Sequence, residues 1–453
     1  MTAAEAPAPQ DDVLWDVVEE HLAEAQFGVE ELERCFESQV ATLESAVRGI
    51  EPRFLAHVDG LIVGGAPVRA KLLDPIVREP NPEEPSALVV AGFVLAHAGL
   101  LDALLPALAH EDDAIRRAAV QALALLGDRT PDAWLASRLN GPLAPRARVS
   151  LLETAWRRGT RLSSLVEWLQ DPDPLVVRAA ARAAGHADAA IHGPVLEHLL
   201  EHPDPGVREA ALVPSLAWRS PRASQYCREW GLDRKTPQAT PMILFAALEG
   251  PAGHEEIAAL LSYPTHLTTA VTALGYTGNI RMLPRLLEYV EDKAPLLRKV
   301  AAQSISLITG LKLGDVVVGA AQAKPDAPGI GAEQADVEQA LPPLEEDDLE
   351  ADLVAPPEVA LPDPDPQAVR SHCHEVMSRM TRDQRWLRGK PFSTGELVAA
   401  LQVLPLRARH SLATVLFVRT GGASWVDTRA IPGEQARRLG GMAGARLAAA
   451  GRW

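Results

Sequence analysis

At 453 residues and 47% hydrophobic content the chain is long enough for two or three domains with a sizeable core, and its 4% aromatic content suits alanine- and leucine-packed helices better than a β-sandwich. No run reaches the roughly 18 apolar residues of a membrane span. A net charge of −16 argues against a general nucleic-acid binder, and the three cysteines, Cys35, Cys227 and Cys373, lie too far apart for a disulfide framework. Together these features, with no secretory signal in the alanine- and proline-rich start Met1–Gln10, point to a soluble protein of a reducing cytoplasm.

Taken in chain order, residues 1–82 read as an N-terminal helical region. Val13, Leu14, Val17, Val18 and Leu22, continued by Phe27 and Leu32, have helical spacing within Asp12–Ser38, and a second helix is expected from about Ala41 to Val58. Gly64-Gly65 that follows is a turn, because no lysine-serine or lysine-threonine pair accompanies it as a phosphate loop requires.

Residues 83–315 carry an internal period. Gln170-Asp171-Pro172-Asp173-Pro174-Leu175-Val176-Val177-Arg178-Ala179-Ala180 returns as Glu201-His202-Pro203-Asp204-Pro205-Gly206-Val207-Arg208-Glu209-Ala210-Ala211. Arg116 to Arg148 is 32 residues, Arg148 to Arg178 and Arg178 to Arg208 are each 30, and Arg208 to Arg298 is 90. The two units without the arginine fall at Pro241–Leu248 and Leu267–Gly275, so about seven units are expected. Each makes sense as a helix pair. Leu165–Leu169 ends a first helix, Pro172 and Pro174 stop it, Asp173 caps the second, and Gly185 closes that second helix.

Residues 316–366 form an acidic, proline-rich linker. Thirteen aspartates and glutamates and no lysine or arginine lie between Pro325 and Pro366, so the rest of the chain is nearly balanced. Charge repulsion and poor apolar content favour an extended, disordered segment that separates two domains, with docking of a basic partner as the sharper option. Residues 367–453 then hold at least three helices, too few to act alone, and are expected to pack against the solenoid.

Chemistry-bearing motifs are scarce. His372, Cys373 and His374 alternate on a predicted helix, where such neighbours diverge and no fourth ligand follows; His254-Glu255-Glu256 lacks the second histidine of a helical zinc site. Ser215 and Ser304 lack the glycines of a nucleophile elbow. No catalytic residue, cofactor or metal is expected. Arg116-Arg117, Arg146, Arg148, Arg157-Arg158 and Arg161 form a locally basic patch, too small a basis for nucleic-acid binding in an acidic chain.

The repeats resemble HEAT repeats, and the resemblance implies an all-α solenoid in which Asp173, Asp204, Arg178, Arg208 and Arg298 belong to a charge ladder between units. Three further stretches, Glu51–Leu61, Leu361–Pro364 and Gln384-Arg385-Trp386-Leu387-Arg388-Gly389-Lys390-Pro391, with Val426–Ala430 near the end, are together similar to a proteobacterial family of HEAT-repeat proteins often encoded within type VI secretion gene clusters. That resemblance implies an accessory or adaptor role with a secretion spike or effector as partner, and supplies no active-site residues. The expectation is therefore a non-catalytic, protein-binding scaffold with its concave face as the docking surface. Trp168, Arg178, Arg208 and Trp218 are the candidate anchors, because tryptophan and arginine dominate hot spots. The alternative is a solenoid enzyme or nucleic-acid binder, as HEAT-like DNA glycosylases and bilin lyases are.

Overall fold

The structure is a computed structural model and describes residues 13–127, 130–236, 238–317 and 357–444. The chain is an all-α, HEAT-like solenoid with an N-terminal helical cap and a small C-terminal helical domain. The expected disordered linker lies for the most part outside the described residues; its last stretch is part of the fold. There Leu361 is buried, Val317 pairs with Pro364, and Arg298 makes an ion pair with Asp363.

The cap is α1 (Trp15–Phe36), α2 (Leu43–Arg48) and α3 (Ile50–Val63). The second expected helix is thus two helices: Gly49 separates them, and the Thr42 hydroxyl and Ser45 form a capping box that starts α2. Packing of α1 along α3 and α4 (Pro85–His97) covers the first edge of the solenoid, and α4 is buried on nearly every side.

Seven helical pairs follow among the described residues. Their second helices are α5 (Asp113–Leu125), α7 (Pro145–Arg158), α8 (Pro174–Ala184), α10 (Pro205–Ala217), α12 (Ala239–Leu248), α14 (Leu267–Tyr276) and α16 (Pro295–Thr309). The first helices are shorter or less regular: residues 101–108, α6 (Thr130–Leu139), a 3-10 turn at Trp168–Gln170, α9 (Ala189–Leu199), α11 (Pro221–Gly231), α13 (Pro251–Ala259) and α15 (Leu283–Val290). The turn at Trp168–Gln170 replaces the helix expected there, because left-handed Gly159 (φ 71°) ends α7 and the prolines at 172 and 174 leave too little chain for a full first helix. Aspartates cap the second helices as their sequence suggests. Asp112, Asp173 and Asp204 accept from the first-turn amides of α5, α8 and α10.

Successive second helices pack on one another while the first helices hardly meet, so the second helices line the inside of the curve. Small residues make that approach possible: Ala179, Ala180, Ala183 and Ala184 of α8 are all buried. Only between α10 and α12 does this inner stack open, and there the C-terminal domain enters.

That domain comprises α17 (Pro366–Arg379), the hairpin β1 (Trp386–Leu387) and β2 (Lys390–Pro391), α18 (Thr394–Val403), α19 (Leu406–Arg419) and α20 (Pro432–Gly444). Helix α19 packs on both α10 and α12 and is buried at Leu406, Arg409, Leu412, Ala413, Val415, Leu416, Phe417 and Val418. Its stretch Leu412–Val418 is buried at six of seven positions, as in a core helix. The concave face expected to receive a partner is therefore filled, over its middle, by the chain's own α19. The physical reason is the size of the apolar surface that the alanine-rich inner helices would otherwise leave in water.

Candidate functional site

Two contacts seat α19 and thereby define what remains open. At its C-terminal end Phe417 joins Trp156, His186 and Trp425 in an aromatic cluster, with ring centroids 4.1 Å apart for Trp156 and Trp425 and 4.7 Å for Trp156 and His186. The Trp425 indole donates to the Arg157 carbonyl at 2.9 Å. Burial pushes the His186 imidazole down to about 4, so it is neutral at pH 7. At its N-terminal end Arg407 pairs with Glu37 and Glu358, and Arg429 pairs with Glu33 and Glu37, so α1 is clasped to the C-terminal domain. The two arginines and His410 help hold the Glu37 carboxyl below the usual range against the opposing effect of burial, the largest single influence.

The string Arg385–Gly389 does a third job. Its arginine donates to Ala246 and Ala247 carbonyls at the end of α12 and to Tyr276 and Thr277 carbonyls at the end of α14. The Trp386 amide then reaches Gly278 O, and the Arg388 and Gly389 amides reach Leu307 O and Ile308 O of α16. One short segment thus caps the C-terminal ends of three successive inner helices, where orphan carbonyls and the negative end of the dipole favour a cation. Burial pushes the Arg385 guanidinium down to about 9.

Between these fixtures the groove stays open. A cavity of about 820 Å³ lies where α12, α14 and α16 face the start of α19. Each inner helix presents one face to it: Ala239 and Ile243 of α12; Thr268, Thr269, Thr272 and Tyr276 of α14; Val300, Gln303, Ser304 and Leu307 of α16. The opposite wall is Val403–Pro405 with Arg407, Ala408, His410 and Ser411. Several wall groups are occupied internally. Gln303 donates to Gln39 at 2.7 Å, Gln39 to Glu358 at 3.3 Å, and the Thr272 hydroxyl to Thr268 O at 2.9 Å. Burial raises the Tyr276 phenol, opposed by its hydrogen bond with Ser411. His410 sits between Thr428 Oγ1 (2.6 Å) and Phe36 O (3.1 Å), and burial lowers its pKa.

The rim of this cavity is apolar and exposed. Val40 and Val403 line it with 60% and 48% of their surface in water, and Val359, at 50%, stands between the lining residues Glu358 and Ala360. Two large aliphatics left in solvent at one opening, Val40 and Val403, mark a place where something apolar is received. Its size lies within the roughly 300–1,000 Å³ of small-ligand sites.

None of the anchors expected from the sequence lines this cavity. Trp168 is half-buried in its 3-10 turn, and Trp218 ends α10 beside Gly193 of α9. Arg208 folds back on the His202 and Pro203 carbonyls and stands over the Trp230 ring; Arg116 and Arg298 make the same return to the carbonyls five and six residues before them. Arg178 packs beside Gly206 of the next unit. Asp173 and Asp204 are helix caps, while Arg148 of one unit pairs with Asp171 of the next. The basic patch is likewise engaged internally: Arg157 pairs with Asp427, Arg158 with Asp132, and Arg117 with Asp113. Of the His-Cys-His stretch, Cys373 is in the core and His372 meets Thr309 Oγ1. Sequence reasoning passed over the cavity. The available signal was Thr268-Thr269 with Thr272 on α14, where α8 and α10 carry alanines.

No family model and no curated protein matches the chain. Among solved structures, the complex of CpcE and CpcF of phycocyanin lyase from Nostoc sp. PCC7120 is similar at 19% identity, over 50% of this chain and 87% of that chain, with a TM-score of 0.25. The expectation that the chain is not an enzyme is corrected: the similar structure is that of a lyase, and a likeness of this size assigns neither activity nor inactivity to this chain. An open groove of small-ligand size inside the solenoid is the physical reason a scaffold of this kind need not be inert.

Proposed function

We propose that the chain is a HEAT-like solenoid protein that takes up an apolar-bodied ligand in the cavity between α12, α14, α16 and α19, and that it serves as an accessory protein linked to type VI secretion. The observation that carries the ligand reading is the open stretch of inner groove, about 820 Å³, with exposed Val40 and Val403 in its lining. The secretion link, with a spike or effector as protein partner, is supported by the resemblance of Glu51–Leu61, Leu361–Pro364, Gln384–Pro391 and Val426–Ala430 to that family. One of these stretches, through Arg385–Gly389, caps the helices that wall the cavity.

Nile red, a fluorescent apolar dye, tests the pocket directly. It binds the wild-type chain with a saturable rise in fluorescence, and Thr272→Trp, which fills the cavity from the α14 wall, abolishes the rise while leaving the helical circular dichroism intact. Equal dye binding by the two proteins would place the apolar site elsewhere. For the secretion link, affinity purification from the native cell recovers a spike or effector component; recovery of none under mild conditions removes that part of the reading. A solenoid enzyme would use the same cavity, and conversion of a bound compound, blocked by Thr272→Trp, separates it from a carrier.

A further inference from the structure

The hairpin that caps α16 turns through Arg388 and Gly389, both with positive φ (52° and 76°), while Leu387 pairs with Lys390. A two-residue loop with both φ positive is the type I′ hairpin, whose first position favours asparagine, aspartate or glycine. An arginine there holds a strained backbone conformation that asparagine would largely relieve. The capping bonds do not need that side chain, because they come from the backbone amides of 388 and 389. Its guanidinium has no hydrogen bond, ion pair or ring contact among the described residues, yet Arg388 lines the cavity.

Lys312, just beyond the left-handed Gly310 that ends α16, lines the same cavity and has no partner among the described residues either. The other charged groups of the lining are spoken for. Arg407 is held by Glu37 and Glu358, and Glu358 by Arg407 and Gln39. The wall therefore combines an apolar body with two uncompensated cations and, among the described residues, no uncompensated carboxylate.

We propose that the cavity takes an amphiphile with one anionic head, its apolar body against Ile243, Val300 and Leu307 and its head held by Arg388 and Lys312. This rests on the ligand reading of the pocket and adds the charge of the ligand to it. Arginine is suited to such a head because its fork can bind a carboxylate or phosphate through two parallel donors.

Isothermal titration with a set of twelve-carbon probes tests it. Dodecanoate and dodecyl phosphate bind more tightly than dodecanol by about tenfold, dodecyltrimethylammonium binds least, and acetate does not bind; the ratio of the two anions identifies the head preferred. The double variant Arg388→Gln/Lys312→Gln loses about tenfold for dodecanoate, keeps its affinity for Nile red, and loses the salt dependence that an exposed ionic contact confers. Equal binding of the anionic, neutral and cationic probes, or an unchanged dodecanoate affinity in the double variant, overturns the assignment of the head. Should neither Nile red nor any twelve-carbon probe bind, the pocket reading itself fails along with it.

Discussion

The middle and the end of the inner groove are built from the same repeat yet meet opposite fates. Around α8 and α10 the inner face is alanine and leucine, and it is covered by α19 and the Trp156–Phe417–Trp425 cluster. Around α14 the equivalent face carries Thr268, Thr269 and Thr272, and it borders open space. A HEAT-like unit is thus neutral scaffolding; a few inner-face side chains decide whether its concavity becomes core or site. The threonine methyls and hydroxyls suit a surface that must be wet when empty and apolar when filled, whereas bare alanine and leucine would draw in more chain.

That contrast can be broken from the filled side. Phe417→Ala leaves a cavity in the cluster and is expected to cost about 3–5 kcal/mol in urea unfolding. A loss below about 1 kcal/mol would show that α19 is not the core of the middle region. Among substitutions, removing the clamp is next in size: Arg385→Gln leaves carbonyls at the ends of α12 and α14 without their donor and is expected to cost about 2 kcal/mol. It should also weaken Nile red binding, since those helices wall the pocket.

Acid acts on the filled half as well. The His186 pKa is depressed from 6.5 to about 4 in the folded chain, chiefly by burial. Its contribution is present above pH 6.5 and is lost as pH falls from there towards 4, because the unfolded chain binds the proton first. A decline of about 3 kcal/mol across that window, absent in His186→Phe, is the expected result of chemical denaturation at stepped pH. Smallest is the open half: Thr272→Trp, so damaging to dye binding, should shift stability by no more than about 0.5 kcal/mol. A large loss there would mean the cavity is a packing requirement and not a site.

The units could be read from the chain because their signals are local. Asp173 caps where it was expected to, Asp204 does the same at the equivalent position of the next unit, and the helices without the arginine begin at Ala239 and Leu267, where the period places them. Insertion of α19 was not legible, since it joins residues some two hundred positions apart and nothing in Leu412–Val418 names α10 and α12 as neighbours. Nor was the cavity, which exists only where three successive inner helices and α19 leave a gap. The repeated arginines Arg116, Arg208 and Arg298 turn back on the carbonyls of their own loops, a local contact that the period marked without showing its geometry.

The clasp between α1 and the C-terminal domain orders events during synthesis. Each helical pair can begin to form as it leaves the ribosome, but the inner faces of α10 and α12 wait for a helix made about 190 and 160 residues later, and Glu37 waits for Arg429. Until α19 has been made, those alanine and leucine faces are available to any other apolar chain. A truncation before Leu406 would therefore leave not a shorter solenoid but an unfinished one, stalled with its most adhesive surface outward.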